Sequence, residues 1–123
     1  MENDALLLRQ VHPSFIQAGN ITSQVFTLPK GGSSLSVYDG EMITPDDAYN
    51  HYTKVLRNAS CGVVAVSKGE CESQGLSVIE DRVPYPEHIS ILYNSKSSKE
   101  SDRIAIKLKR LATDRGWLFG PIR

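Results

Sequence analysis

The stretch HISILY, residues 88–93, decides how the rest of the chain is read. On a strand, successive side chains point to opposite faces. His88, Ser90 and Leu92 therefore share one face, and Ile89, Ile91 and Tyr93 share the other. A face carrying two isoleucines and a tyrosine needs a layer of other elements against it, while a face carrying histidine and serine can look outward. The expectation is a sheet covered on one side.

Neighbouring segments extend that sheet. Leu35 to Tyr38 alternates in the same way, with Leu35 and Val37 toward the core and Ser34, Ser36 and Tyr38 outward, before Asp39 and Gly40 turn the chain. Asn20 to Leu28 (NITSQVFTL), rich in β-branched and aromatic residues, reads as a strand joined to it through PKGGSS as a hairpin. Gly31 and Gly32 lack the spacing of a phosphate-cradling loop and suit a turn that needs positive φ. Gly62 to Ser67 (GVVAVS) is a continuous apolar run, as in a central strand buried on both faces. Leu76 to Glu80 adds another strand, separated from residues 88–93 by a loop holding Pro84 and Pro86.

Two helices complete the pattern. In TPDDAYNHYTKVLR, Thr44 is the N-cap and Pro45 fits the first helical position. Asp46 and Asp47 complement the helix dipole, and Ala48, Tyr49, Tyr52, Val55 and Leu56 form an apolar stripe. The second helix starts at Ser97 or Ser98, with Ser97 and Glu100 spaced as a capping box. Its stripe is Ile104, Ala105, Leu108, Leu111 and Ala112, and Gly116 ends it. WLFG then forms a short strand or a packed tail. The predicted class is α+β: a single domain over residues 1–123, with residues 1–19 as a lead-in. It has a mostly antiparallel sheet of about five strands and the two helices on one face.

Composition excludes several classes. A chain of 123 residues suits one core, and 40% hydrophobic with 23% charged residues argues against a disordered or fibrous protein. The only apolar stretch near the start, Ala5 to Leu8, is too short for a signal peptide or a membrane span, so a cytoplasmic protein without membrane contact is expected. Cys61 and Cys71 then read as reduced thiols. Net charge is zero, but residues 99–123 carry seven Lys or Arg against three acids. Lys107, Lys109 and Arg110 make nucleic-acid contact conceivable; the lack of interleaved aromatics favours a solvated basic face instead.

For chemistry, the tripeptides His12-Pro13-Ser14 and His88-Ile89-Ser90 resemble the doubled H-x-[ST] motif of the two-histidine phosphoesterases. That resemblance implies His12 and His88 as general base and general acid on a phosphodiester, with Ser14 and Ser90 holding phosphate oxygens. Pro13 cannot donate to a sheet ladder, so the first tripeptide also reads as the chain's entry into its sheet. His51, beside the helix stripe, reads as a packed residue. The cysteines and histidines lack metal-ligand spacing, no metal or cofactor is expected, and no G-x-S-x-G elbow occurs. Ser36, Tyr38 and Asp39 on the wet side of the hairpin form a candidate recognition face, with Tyr38 as its aromatic anchor. With no cluster at catalytic spacing, the expected function is binding to another protein, as an accessory, regulatory or immunity-type domain. A small phosphoesterase is the alternative.

Overall fold

The computed structural model describes residues 1–122. Along the chain the strands are β1 (Leu6–Gln10), the short pair β2 (Ile16–Gln17) and β3 (Asn20–Ile21), β4 (Ser34–Asp39), β5 (Val63–Ser67), β6 (Ser77–Ile79) and β7 (His88–Leu92). The helices are α1 (Pro45–Asn50), α2 (Lys68–Ser73) and α3 (Ser98–Arg115). The main sheet has the order β5-β1-β4-β7-β6, and every neighbouring pair in it is antiparallel. The α+β class with five antiparallel strands is the one expected.

Strand alternation sorts the core into two layers. Leu7, Leu35, Val37, Val64, Val66, Ile89 and Ile91 point to one face and pack with Cys71 of α2 and with Ile104, Ala105, Leu108 and Ala112 of α3. Two helices thus cover that face, but the partner of α3 is α2 and not the Thr44 helix. α1 lies against the opposite face, where Ala48 meets Leu8, Tyr38, Val63 and Ala65. An apolar stripe shows that a helix is covered; it carries no information about which side of the sheet covers it.

α2 has a glycine and mostly polar residues, so composition hides it. A capping box starts it: Glu70 N donates to Ser67 Oγ at 3.1 Å, and Ser67 N donates to the Glu70 carboxylate at 2.7 Å. Arg115, at the end of α3, grips the same carboxylate through both terminal nitrogens at 2.9 and 3.2 Å. At the expected box, Glu100 N donates to Ser97 Oγ, while the Glu100 side chain meets that hydroxyl and not the Ser97 N–H. Burial alone would raise the Glu70 carboxyl, but the bonds from Arg115 and Ser67 outweigh it and hold it below the ordinary carboxylate value. A depressed folded value means the stabilisation is present above the unfolded value and is lost as pH falls through the folded one. Glu70→Gln is therefore expected to cost about 1 kcal/mol at neutral pH. The gap between the urea midpoints of variant and wild type should begin to narrow as pH falls below roughly 4, where the unfolded carboxyl is protonated, and should close only below the lower folded value.

Three expectations about strands need correction. Residues 1–19 are no lead-in: β1 sits inside the sheet and pairs with β5 along its whole length, from Leu6↔Ser67 to Gln10↔Val63. β5, expected at the centre, is at the edge, yet all five of its residues are buried. The C-terminal tail explains this, since Val63 N donates to Phe119 O and Leu118 N donates to Val63 O, both at 2.9 Å. A Cβ on Gly62 would come within 2.5 Å of the Phe119 carbonyl, so only glycine lets the tail approach. The third correction concerns Asn20 to Leu28. Only Asn20–Ile21 is strand, and Ser23–Phe26 is a 3-10 turn whose Val25 and Phe26 are fully buried among the α3 residues. Those apolar residues pack as a plug, so no hairpin forms with β4, whose neighbours are β1 and β7.

α1 starts as expected, with Asp47 N donating to Thr44 Oγ1, then widens into a π-helical turn over His51–Val55. The extra residue per turn swings Val55 out of the stripe, leaving it 65% exposed. Both cysteines are free and buried, and burial pushes the Cys71 thiol up to about 12. No described helix is long and apolar enough to cross a membrane.

Candidate active site

The site begins where two strands part. β1 stays paired with β5 throughout, but it meets β4 only at Leu7↔Asp39 and Leu8↔Tyr38. Beyond Leu8 the side chain of Arg9 enters the gap. Its Nε donates to the Val25 carbonyl at 2.8 Å and its Nη1 to the Ser36 carbonyl at 2.9 Å. A guanidinium thus satisfies a strand carbonyl where the ladder has opened. A cavity of about 600 Å³ lies over this gap, reached by Ser36, Arg9 and His88 and by the apolar surfaces of Phe15, Leu28, Tyr52 and Tyr85.

Register then fixes the chemistry. Ser36 lies opposite Ser90, and Tyr38 lies opposite His88, so His88 is the diagonal neighbour of Ser36 on the same face. His88 Nε2 is 3.1 Å from Ser36 Oγ, and His88 Nδ1 is 2.7 Å from Asp81 Oδ1. The other Asp81 oxygen accepts from Ser90 Oγ at 2.5 Å. A carboxylate can only accept, so Nδ1 carries a ring proton, and in the neutral ring the Nε2 lone pair then faces the Ser36 hydroxyl. Burial would raise the Asp81 carboxyl, but the hydrogen bonds from Ser90 and His88 prevail and keep it below its usual value. Asp81 therefore stays ionised beside the ring. Tyr85 stands edge-on to His88, with ring centres 5.4 Å apart at 83°. His88 is only 7% exposed, whereas Ser36 is open to the cleft. A shielded base behind an accessible hydroxyl is the order that nucleophile activation requires.

The sequence-derived residues fall into separate groups. His88 and Ser90 are joined through Asp81. His12 and Ser14 are not part of that group: His12 Nδ1 accepts from Ser14 N at 3.0 Å and meets Ser14 Oγ at 2.7 Å, capping the 3-10 turn Pro13–Phe15. His12 does not line the cleft that His88 lines, so the two imidazoles of the phosphoesterase resemblance do not share a groove. Of the recognition face, Ser36 alone is exposed. Tyr38 is 2% exposed, stacked on Tyr85 and bonded through its hydroxyl to His51 Nδ1 at 2.8 Å, because α1 covers the face expected to be wet. Asp39 is also buried, accepting from Glu41 N and pairing with Arg82 at 2.8 Å. Lys107 and Arg110 are exposed on α3 and Lys109 is half-buried, with none of the three ion-paired among the described residues. No three His, Cys, Asp or Glu side chains converge as a metal set among the described residues.

Two members of the site, Arg9 and Asp81, carry no signal in the sequence. Arg9 follows LLL as an ordinary strand residue, and Asp81 stands in the charged run Glu80-Asp81-Arg82. Only the parting of β1 from β4 and the loop after β6 give them roles. Comparison with models of known families, with curated proteins and with solved structures gives no match for this chain.

Proposed function

We propose that the chain is a serine-dependent ester hydrolase, with Ser36 as nucleophile, His88 as general base and acid, and Asp81 as the group that orients His88. The observation that carries this reading is the continuous hydrogen-bonded series from Ser36 Oγ through His88 to Asp81, opening on a cavity. Ser36 Oγ attacks the ester carbonyl carbon while His88 Nε2 takes its proton. The carbon–oxygen bond to the alcohol then breaks, and His88 returns the proton to the departing oxygen. Water, deprotonated by the same nitrogen, cleaves the acyl-serine and regenerates the hydroxyl. Burial raises the Tyr85 phenol, which keeps it neutral and offers a hydrogen-bond donor in the cleft.

A fluorophosphonate probe tests the proposal, because it labels serines activated by a neighbouring base. One adduct on Ser36 is expected, absent from Ser36→Ala and from His88→Ala. An unlabelled wild type, or label on another residue, overturns the reading. Asp81→Asn is expected to fold normally and to lower kcat by about 10²- to 10⁴-fold, because an amide can donate to Nδ1 and so hold the ring in the wrong tautomer. Steady-state ester hydrolysis measures it.

A second proposal keeps the binding domain expected from the sequence, as an accessory partner of another protein. In its favour, Met42 is 52% exposed where it rests on Arg82, and Val83, next along the chain, is 65% exposed. A co-purified partner released by Met42→Asp would support it, and intact partner binding in that variant would remove it.

A further inference from the structure

Arg9 differs from the two arginines that form ion pairs. Arg82 pairs with Asp39 and Glu80, and Arg115 pairs with Glu70. Arg9, half-buried between β1 and β4, has no carboxylate partner among the described residues. The titratable groups that bear on it are the phenols Tyr52 and Tyr93, and burial holds Tyr93 neutral by raising it. A sunken cation without a counter-charge is costly, and its own burial depresses its pKa. Its bonds go to two backbone carbonyls, which fix the plane of the guanidinium without neutralising it. Of the five N–H groups of an arginine, these use two, leaving three for something in the cleft.

From this we infer that Arg9 receives a negatively charged group of the substrate, so that the cleft takes esters that also carry a carboxylate or a phosphate. A planar fork held rigid by two carbonyls matches either oxyanion through paired hydrogen bonds. The Ser36 carbonyl bonded to Nη1 belongs to the residue that bears the nucleophile, so the charged group would sit beside the ester under attack. Phe15, Leu28, Tyr52 and Tyr85 supply apolar surface for the rest of the molecule. The inference rests on the hydrolase reading only in calling the ligand a substrate; the anion site itself is testable without turnover.

The test is an NMR titration of the full-length Ser36→Ala chain with benzoate, phenyl phosphate and neutral benzyl alcohol. Either anion is expected to shift the Arg9 Nε–H and the residue 36 backbone resonances and to bind at least about tenfold more tightly than the alcohol, a difference of one charge-assisted pairing. Which anion binds tighter tells carboxylate from phosphate substrates. Arg9→Met should abolish the preference. Equal affinities, shifts confined to another surface, no binding of either anion, or a preference that survives in Arg9→Met would each overturn the inference. The titration of the arginine-bearing chain decides the matter even where Arg9→Met does not fold. Labelling of Ser36 by the fluorophosphonate probe would be unaffected by such a failure, so the two proposals fail separately.

Discussion

Ser36→Ala is expected to reduce kcat for ester hydrolysis by at least about 10³-fold, equivalent to roughly 4 kcal/mol of transition-state stabilisation, while leaving the urea midpoint within error. The catalytic loss is large because covalent attack has no substitute once Oγ is gone. The stability effect is small because the side chain is exposed and its loss leaves His88 Nε2 facing the cleft, where water replaces the hydroxyl. The double variant Ser36→Ala with His88→Ala should be no slower than the single one, since a base without a nucleophile contributes nothing. Additive losses in the double variant would mean that the two residues act independently, and a Ser36→Ala enzyme at full rate would end the hydrolase reading.

Phe26→Ala is expected to destabilise the fold by about 3–5 kcal/mol, a large part of the roughly 5–15 kcal/mol of a domain this size. Phe26 is fully buried in a layer that also holds Ile104, Leu108 and Val11, and its carbonyl accepts from the buried Tyr93 hydroxyl. Removing the ring opens a cavity beneath the Ser23–Phe26 turn, and Val25 in that turn holds Arg9. Urea unfolding checks the value, with Val55→Ala as the contrast. Val55 stands on the apolar stripe that the sequence suggests, yet it is 65% exposed, so its truncation should stay within about 0.5 kcal/mol. A small effect at Phe26 together with a large one at Val55 would mean that residues 20–28 form the strand their composition suggests and that α1 keeps its regular stripe.

These contrasts show where sequence pattern carries information. The alternation of Ile89, Ile91 and Tyr93 against His88 and Ser90 is local, and the structure keeps it. The caps at Thr44 and Ser97 and the start and stop of α3 are local as well, and they stand where expected. Composition over 20–28 misleads, because β-branched and aromatic side chains suit a buried turn as well as a strand. Residues 6–10 mislead in the opposite direction, since a short apolar run says little until β5 pairs with it along its full length.

The amino-acid sequence by itself determined the α+β class, the positions of most strands and helices, and the presence of His88 and Ser90 on one side of a strand. Tertiary structure alone decided that α1 lies on the face opposite α3, that Leu6–Gln10 forms an interior strand of the sheet, and that β1 peels away from β4 after Leu8. It also brought Asp81, from a loop, and Ser36, fifty-two positions from His88, to the two nitrogens of one ring. The physical reason is range. Caps and alternation act between residues a few positions apart, whereas the relay depends on the register of β4 against β7, which sums many weak contacts across the whole layer.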